Sequence, residues 1–189
     1  SSGAADKFGL SSQHIALACA SHNAASIHTV LVEKWLLELG LSDSDLCCGP
    51  QTPRDRDAKI DLFKANLKPC RIHNNCSGKH SGFLTLTKHL RAGANYVSID
   101  HPVQKACLEA YEMTTNEISP GFGIDGCSAP NHAFTLKGIA KAMIQRLLED
   151  FDFSFGSYSN SLVPLLGKRR PLCSPGRNPE MQLPCYISH

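Results

Sequence analysis

The stretch HNNCSGKHSGF, residues 73–83, places a thiol, an amine and two imidazoles within eight residues and then opens an apolar helical pattern. Apolar residues recur at roughly helical spacing from the end of this stretch, at Phe83, Leu84, Leu86 and Leu90, so we predict a helix that Ser77 or a neighbour caps. Residues three and four apart share a helix face, so Cys76, Lys79 and His80 are expected to point at one place. The positive end of the helix dipole favours a thiolate or a bound anion there.

Three chemistries compete for this stretch. It can be only a helix cap with a buried thiol and solvated rings. A metal site is the sharper alternative, although C-x-x-K-H is not a usual zinc spacing, which pairs Cys with Cys or His with His. A neutral Lys79 at pH 7 costs about 4–5 kcal/mol, which a nearby divalent cation would offset. A phosphate loop is set aside, because the upstream glycine and a Ser or Thr after Lys79 are both missing.

Four segments in order resemble one known family. They are CASHN at 19–23, HNNCSGKH at 73–80, DHPVQ at 100–104 and GIDGCSAP at 123–130. Together they resemble the L-asparaginase II family, a group with a serine-lysine active site whose fold is related to serine β-lactamases and glutaminases. The resemblance covers residues 1–150. It implies an α/β fold of the α+β kind, of which this chain carries mostly the helical part.

The resemblance also implies a metal site. In the family, the cysteine and lysine of the CSGK segment and the cysteine of the DGC segment bind zinc beside the substrate pocket. Cys76, Lys79 and Cys127 are the matching residues. Zinc is therefore the cofactor that the resemblance implies, and whether it acts in catalysis or in organising the pocket stays open.

The catalytic residues implied by the resemblance are Ser21, in the segment that matches the family's catalytic serine, and Lys79. Asp125 is expected to contact the α-amino group of the substrate, and His80 to line the same pocket. Hydrolysis of a side-chain amide needs a nucleophile, a base and stabilisation of the oxyanion. The implied activity is conversion of L-asparagine to L-aspartate and ammonia.

One family element is missing from this sequence. An S-x-x-K pair, which supplies the family's primary nucleophile and its base, normally lies well upstream of the catalytic serine segment, whereas only twenty residues precede Ser21 and they contain no such pair. We therefore expect a truncated and inactive form of an asparaginase. The alternative is a non-catalytic zinc-binding or regulatory fragment.

The pattern changes at Phe151. Helical periodicity disappears and prolines recur through the segment, which excludes a long helix: Pro164, Pro171, Pro175, Pro179 and Pro184. We predict that residues 1–150 form an asparaginase II-like domain, incomplete at both ends, and that 151–189 form a divergent tail. A frameshift is the preferred origin, and a misjoined exon or a disordered extension are the alternatives. The basic run in LGKRRP is too short to indicate nucleic-acid binding.

Composition sets the outer limits. A chain of 189 residues with 42% apolar content suits one domain. The net charge of +2 comes from the tail, so no nucleic acid or membrane partner is expected beside the small-molecule substrate, with a homodimer left open. Nine cysteines are an odd count at irregular spacing, and no signal sequence is visible. We therefore expect a reducing, cytoplasmic location.

Periodicity predicts a mostly helical chain. The expected helices are 12–20, 25–39, 56–67, 77–90, 102–113 and 136–149, and the expected strands are 46–48 and 122–124. Trp35, Leu36 and Leu39 are predicted to anchor the second helix in the core, and Asp100 to cap the fifth. Without the sheet of the related fold, one face of the helical layer would stay uncovered, which predicts an aggregation-prone or partly molten product.

Overall fold

The computed structural model describes residues 2–154 and shows a mixed, mostly helical architecture, which confirms the predicted α+β class. The helices are α1 Ala4–Lys7, α2 Ser12–Cys19, α3 Ser26–Glu38, α4 Arg56–Lys64, α5 Ser77–Leu90, α6 Pro102–Thr115 and α7 Leu136–Ser154, with 3-10 helices at Asp43–Asp45 and Arg71–His73. The strands β1 Phe122–Ile124 and β2 Pro130–His132 form one antiparallel pair. The chain divides into two compact units after Phe134, and α7 belongs to the second.

Helix α5 is the centre of the first unit, where it packs against α1, α2, α3 and α6. Its contact with α2 is close because of a glycine: a Cβ on Gly78 would lie 2.5 Å from the carbonyl oxygen of Leu17. One turn further along, a Cβ on Gly82 would meet its nearest atom at 3.5 Å, an ordinary contact. Only the first turn of α5, which carries the CSGK segment, therefore requires a glycine for packing.

The core lies between α3 and α5. Trp35, Leu36 and Leu39 are 1%, 1% and 8% exposed, which confirms their predicted role as anchors. The indole Nε1 of Trp35 donates a hydrogen bond of 3.0 Å to Thr85 Oγ1 on α5, so the one polar atom of this large side chain is satisfied. Each such buried apolar side chain stabilises the fold by about 1.5–3 kcal/mol.

The predicted strand over 46–48 is wrong. These residues follow the first 3-10 helix as irregular chain, and side chains rather than a second strand satisfy their backbone. Arg71 Nη1 donates to the carbonyl oxygen of Leu46 at 2.7 Å, and Tyr96 Oη accepts from Cys47 N–H at 2.6 Å. A run that reads as a buried strand by composition needs no partner strand when side chains take its hydrogen bonds. Cys48 nevertheless lies in the core, since it is 1% exposed.

The strand predicted at 122–124 is confirmed as β1, and β2 is its partner, with Gly123 opposite Asn131. The connection between them is built on Asp125. Its Oδ1 accepts from the backbone N–H groups of Cys127 at 2.9 Å and Ala129 at 3.0 Å, and Ser128 takes a positive φ of 72°. An aspartate that bonds the backbone two residues ahead is a common turn former.

The N-cap residue of α5 is Cys76, a neighbour of Ser77 as predicted, although its side chain makes no capping bond. The predicted cap of α6 is wrong: His101, not Asp100, caps this helix by accepting from Val103 N–H at 3.2 Å, and Pro102 stands in the first turn. An imidazole nitrogen can serve as the cap acceptor that we assigned to the carboxylate.

The two ends of the described chain differ from the sequence-based description. Helix α1 was not predicted, because four residues are too few for a periodic pattern. The predicted tail begins at 151, but α7 continues through Ser154 and residues 155–189 lie outside the described part of the chain. None of the helices within the described residues has both the length and the apolar character needed to cross a membrane.

Candidate active site

The first turn of α5 and the turn between β1 and β2 meet at an ion pair. Lys79 Nζ lies 2.6 Å from Asp125 Oδ2, while Asp125 Oδ1 stays bound to the turn backbone. The side chains of Lys79 and Asp125 are 29% and 25% exposed, so a small molecule in solvent can reach the pair. The two residues are brought together by α5 and the hairpin across a long separation in sequence.

Two cysteines complete the cluster. Cys127 Sγ lies 3.0 Å from Asp125 Oδ1 and also hydrogen-bonds with Cys76, the N-cap residue of α5. The single thiol proton of Cys127 therefore has two acceptors. His80 Nε2 lies 3.1 Å from the same sulfur. The structure thus brings together five of the six predicted site residues: Cys76, Lys79, His80, Asp125 and Cys127.

The charges of the cluster follow from these bonds. Burial alone would raise the pKa of Asp125, but hydrogen bonds from Cys127 and Lys79 lower it to about 2. Burial disfavours the charged amine of Lys79, yet the bonds to Asp125 and Cys127 outweigh it and raise the pKa above its ordinary value. Lys79 is therefore a cation and Asp125 an anion at neutral pH.

The pKa values of the Cys76 and Cys127 thiols shift in opposite directions. The hydrogen bond from Cys127 is the main reason that the pKa of Cys76 falls to about 7, and the charge of Lys79 contributes in the same direction. That same bond to Cys76, followed by burial, raises the pKa of Cys127 above its ordinary value. Cys76 is the thiol that more readily becomes a thiolate.

The zinc site that the sequence predicts, with Cys76, Lys79 and Cys127 as ligands, stays a prediction. Within the described residues, no group of three or more His, Cys, Asp and Glu side chains is arranged to hold a metal. The predicted ligands include only two residues of these types, Cys76 and Cys127, because the third ligand is Lys79. Thiolates and an amine nitrogen are ligands that suit zinc, and three protein donors leave a fourth position open. Binding requires Lys79 and both thiols to lose their protons.

Ser21 occupies the exposed loop after α2. The loop is held to the start of α5, since His22 N–H donates to Asn75 O at 3.1 Å and His22 Nε2 lies 2.8 Å from Ser77 Oγ. Ser21 lines a groove of about 860 Å³ whose walls come from α2, α3 and the loop between them, within residues 13–34. Its hydroxyl makes no hydrogen bond within the part of the chain that the structure describes.

His80 is completely buried, and both its ring nitrogens bond within the protein. Nε2 contacts Cys127, and Nδ1 lies 2.9 Å from the hydroxyl of Tyr96, itself 0% exposed. The earlier prediction that His80 lines the substrate pocket stays a prediction. Tyr96 was missed by the sequence analysis, because a single tyrosine sixteen residues after His80 carries no pattern that links the two.

Comparison with known families agrees with the resemblance that the sequence motifs indicate. The family model described as L-asparaginase II matches residues 1–153, and the chain belongs to this family. No curated protein matches the chain. Membership supports an asparaginase-like function, that of a hydrolase acting on amides, with a small-molecule amide as substrate.

Proposed function

We propose that this chain carries the amino acid site of an enzyme that hydrolyses L-asparagine to L-aspartate and ammonia. The observation that carries the proposal is the accessible Lys79–Asp125 pair in a chain of this family. An α-amino acid carries an ammonium group, which offers the Asp125 carboxylate a positively charged partner. Asp125 would bind the α-ammonium group through the oxygen that now contacts Lys79.

Substrate binding would also prepare Lys79 for catalysis. As long as Asp125 faces Lys79 alone, the carboxylate keeps the amine protonated and unable to act as a base. An ammonium group that pairs with Asp125 removes part of that stabilisation and favours the neutral amine. A neutral Lys79 can accept a proton from a hydroxyl nucleophile.

Ser21 is the proposed catalytic hydroxyl on this chain. Its support is the family motif together with the hydrogen bonds that fasten its loop to the start of α5 through His22. These bonds restrict the loop on the side nearest the CSGK segment. An anchored loop reduces the motion that must be lost before a nucleophile reaches the substrate.

Zinc is proposed to be held by Cys76, Lys79 and Cys127, and Lys79 would act as a base only in the zinc-free state, since coordination uses the lone pair of its nitrogen. When bound it would supply a positive charge that orients the substrate and polarises a carbonyl or water. The depressed pKa of Cys76 supports this assignment, because a metal-binding cysteine must be deprotonated.

For the 189 residues as given we propose little or no turnover, since no S-x-x-K pair occurs among them. The alternative function, a non-catalytic zinc-binding or regulatory fragment, shares the cysteine and lysine ligands but not the substrate site. Substrate binding therefore separates the two hypotheses, whereas zinc binding does not.

The test titrates L-asparagine into the chain by calorimetry and measures ammonia release in parallel. We expect binding without substantial ammonia release. Release at the rate of a working asparaginase would contradict the proposed inactivity. No binding of L-asparagine would overturn the proposed substrate site and favour the zinc-binding fragment.

A further inference from the structure

We infer that Tyr96 is a positioning residue, which fixes His80 as the Nε2–H tautomer and thereby directs an N–H donor at the sulfur of Cys127. The inference rests on the proposed function in so far as Cys127 is a zinc ligand there. It adds a residue that no sequence motif marks. Three hydrogen bonds carry it, two of them buried and one partly buried.

The first step is the direction of the bond between Tyr96 and His80. The phenol oxygen of Tyr96 accepts from the backbone N–H of Cys47 at 2.6 Å, a group that can only donate. The phenol proton still needs an acceptor, because Tyr96 is 0% exposed and a buried donor without a partner is costly. His80 Nδ1, at 2.9 Å, and the thiol of Cys47 both contact this hydroxyl, and the imidazole nitrogen is the stronger acceptor, so the proton is assigned to the bond with His80.

The second step follows from imidazole chemistry. A neutral ring has one N–H and one bare nitrogen, so a ring whose Nδ1 accepts from Tyr96 carries its proton on Nε2. That nitrogen lies 3.1 Å from Cys127 Sγ and donates to it. The ring is also fixed by edge-on contacts with Tyr96 and Phe83, whose ring centroids lie 5.5 and 5.7 Å away.

The third step concerns the sulfur. An N–H donor aimed at a thiolate orients it and offsets its charge, as partners of metal ligands commonly do. Lys79 also donates to this sulfur but is shared with Asp125, whereas Asp125 and Cys76 accept from the thiol of Cys127. The chain from Cys47 through Tyr96 and His80 therefore joins the core to the proposed zinc site.

The direct test is the ¹⁵N spectrum of the imidazole of His80 in the full chain, which distinguishes the two neutral tautomers. We expect Nε2–H in the wild-type chain and a substantial share of Nδ1–H in Tyr96→Phe, which removes only the hydroxyl. Thr85→Val is the matched control. Thr85 lies on α5, as His80 does, and its buried hydroxyl bonds to Trp35 rather than to His80. Its tautomer should equal that of the wild type.

Zinc affinity supplies the second readout, measured by competition with a chromophoric chelator. Tyr96→Phe should weaken binding roughly 10–100-fold, the usual effect of losing a partner of a ligand. His80→Gln places an amide N–H near the position of Nε2 and needs no tautomer, so adding Tyr96→Phe to it should cause no further loss. Thr85→Val should leave zinc affinity unchanged.

Several outcomes would overturn the inference. One is Nδ1–H in the wild-type chain, which decides the matter even if Tyr96→Phe fails to fold. Another is a zinc affinity that Tyr96→Phe leaves unchanged, or that is too weak to measure in every variant. None of these readouts needs turnover or L-asparagine, so a chain with the expected tautomer but no substrate binding refutes the proposed function alone.

Discussion

His22 is a neutral histidine held inside the fold, and it makes stability depend on pH. It is 5% exposed, and burial, followed by the neighbouring His28, lowers its pKa from 6.5 to about 4. His22 takes up a proton near pH 6.5 in the unfolded chain but only near pH 4 in the folded chain. The folded state is therefore fully stable above pH 6.5 and loses stability as the pH falls from 6.5 to 4. We expect a loss of roughly 2–3 kcal/mol by pH 4.

Urea unfolding between pH 7.5 and 4 measures this loss. The control is His22→Gln, which should be less stable at neutral pH but should vary less with pH over the same window. Wild-type stability that stays flat from pH 7 to 4.5 would show that His22 is not the group responsible.

At the scale of residues, the sequence predicts half of the site from helix geometry and the other half only from resemblance. Cys76, Lys79 and His80 meet because positions three and four apart share a helix face. Asp125 and Cys127 reach them across more than forty residues through a hairpin, and no local period encodes that distance. Tyr96 has no signal at all.

At the scale of elements, the contact between α2 and α5 depends on one glycine. Gly78→Ala would place a methyl 2.5 Å from Leu17 O and 2.7 Å from its Cγ, so helix and backbone must move. We expect a loss of about 1–3 kcal/mol or more, despite the better helix propensity of alanine. Chemical denaturation gives the value.

Gly82→Ala is the matched control on the same helix. Its new methyl has ordinary contacts, with Ala18 Cβ at 3.5 Å, so the gain in helix propensity of up to about 1 kcal/mol should be kept. Equal effects of the two substitutions would contradict the close approach of α2 to α5 at Gly78.

Elements with a sustained period were predictable, and short ones were not. Helix α5 begins and ends where the sequence predicts, because fourteen residues give a full apolar pattern. The hairpin strand β2 has three residues and starts with a proline, so no alternation can mark it. For residues 46–48 the error is the reverse, since the sequence predicts a strand where none forms. The side chains of Arg71 and Tyr96 hydrogen-bond the backbone that a neighbouring strand would otherwise bond.

At the scale of the whole molecule, the sequence predicts an aggregation-prone product, and exposed apolar side chains allow this prediction to be tested. Ile27 and Val30, on α3 beside the groove, are 75% and 58% exposed. Replacing both by Gln should reduce light scattering and dye binding without lowering the melting temperature, since neither contributes to the core. Ile118→Gln, which changes a residue 88% exposed outside this groove, is the control and should have little effect.

A sharp cooperative melt of the unmodified chain, with no dye binding and no self-association, would show that this prediction is wrong. A broad transition with dye binding would support it. The comparison of the groove variant with Ile118→Gln then locates the surface responsible.

The most direct test of the central claim is the affinity for L-asparagine of Asp125→Asn beside the wild-type chain. The amide keeps an oxygen for the N–H groups of the turn but loses the charge that faces Lys79 and the proposed α-ammonium group. Calorimetry should show binding weakened roughly tenfold or more, as expected for a lost charged hydrogen bond. The control Asp57→Asn, on the exposed side of α4, should bind like the wild type. Equal affinity of Asp125→Asn and the wild type would contradict the assignment of the Lys79–Asp125 pair as the substrate site.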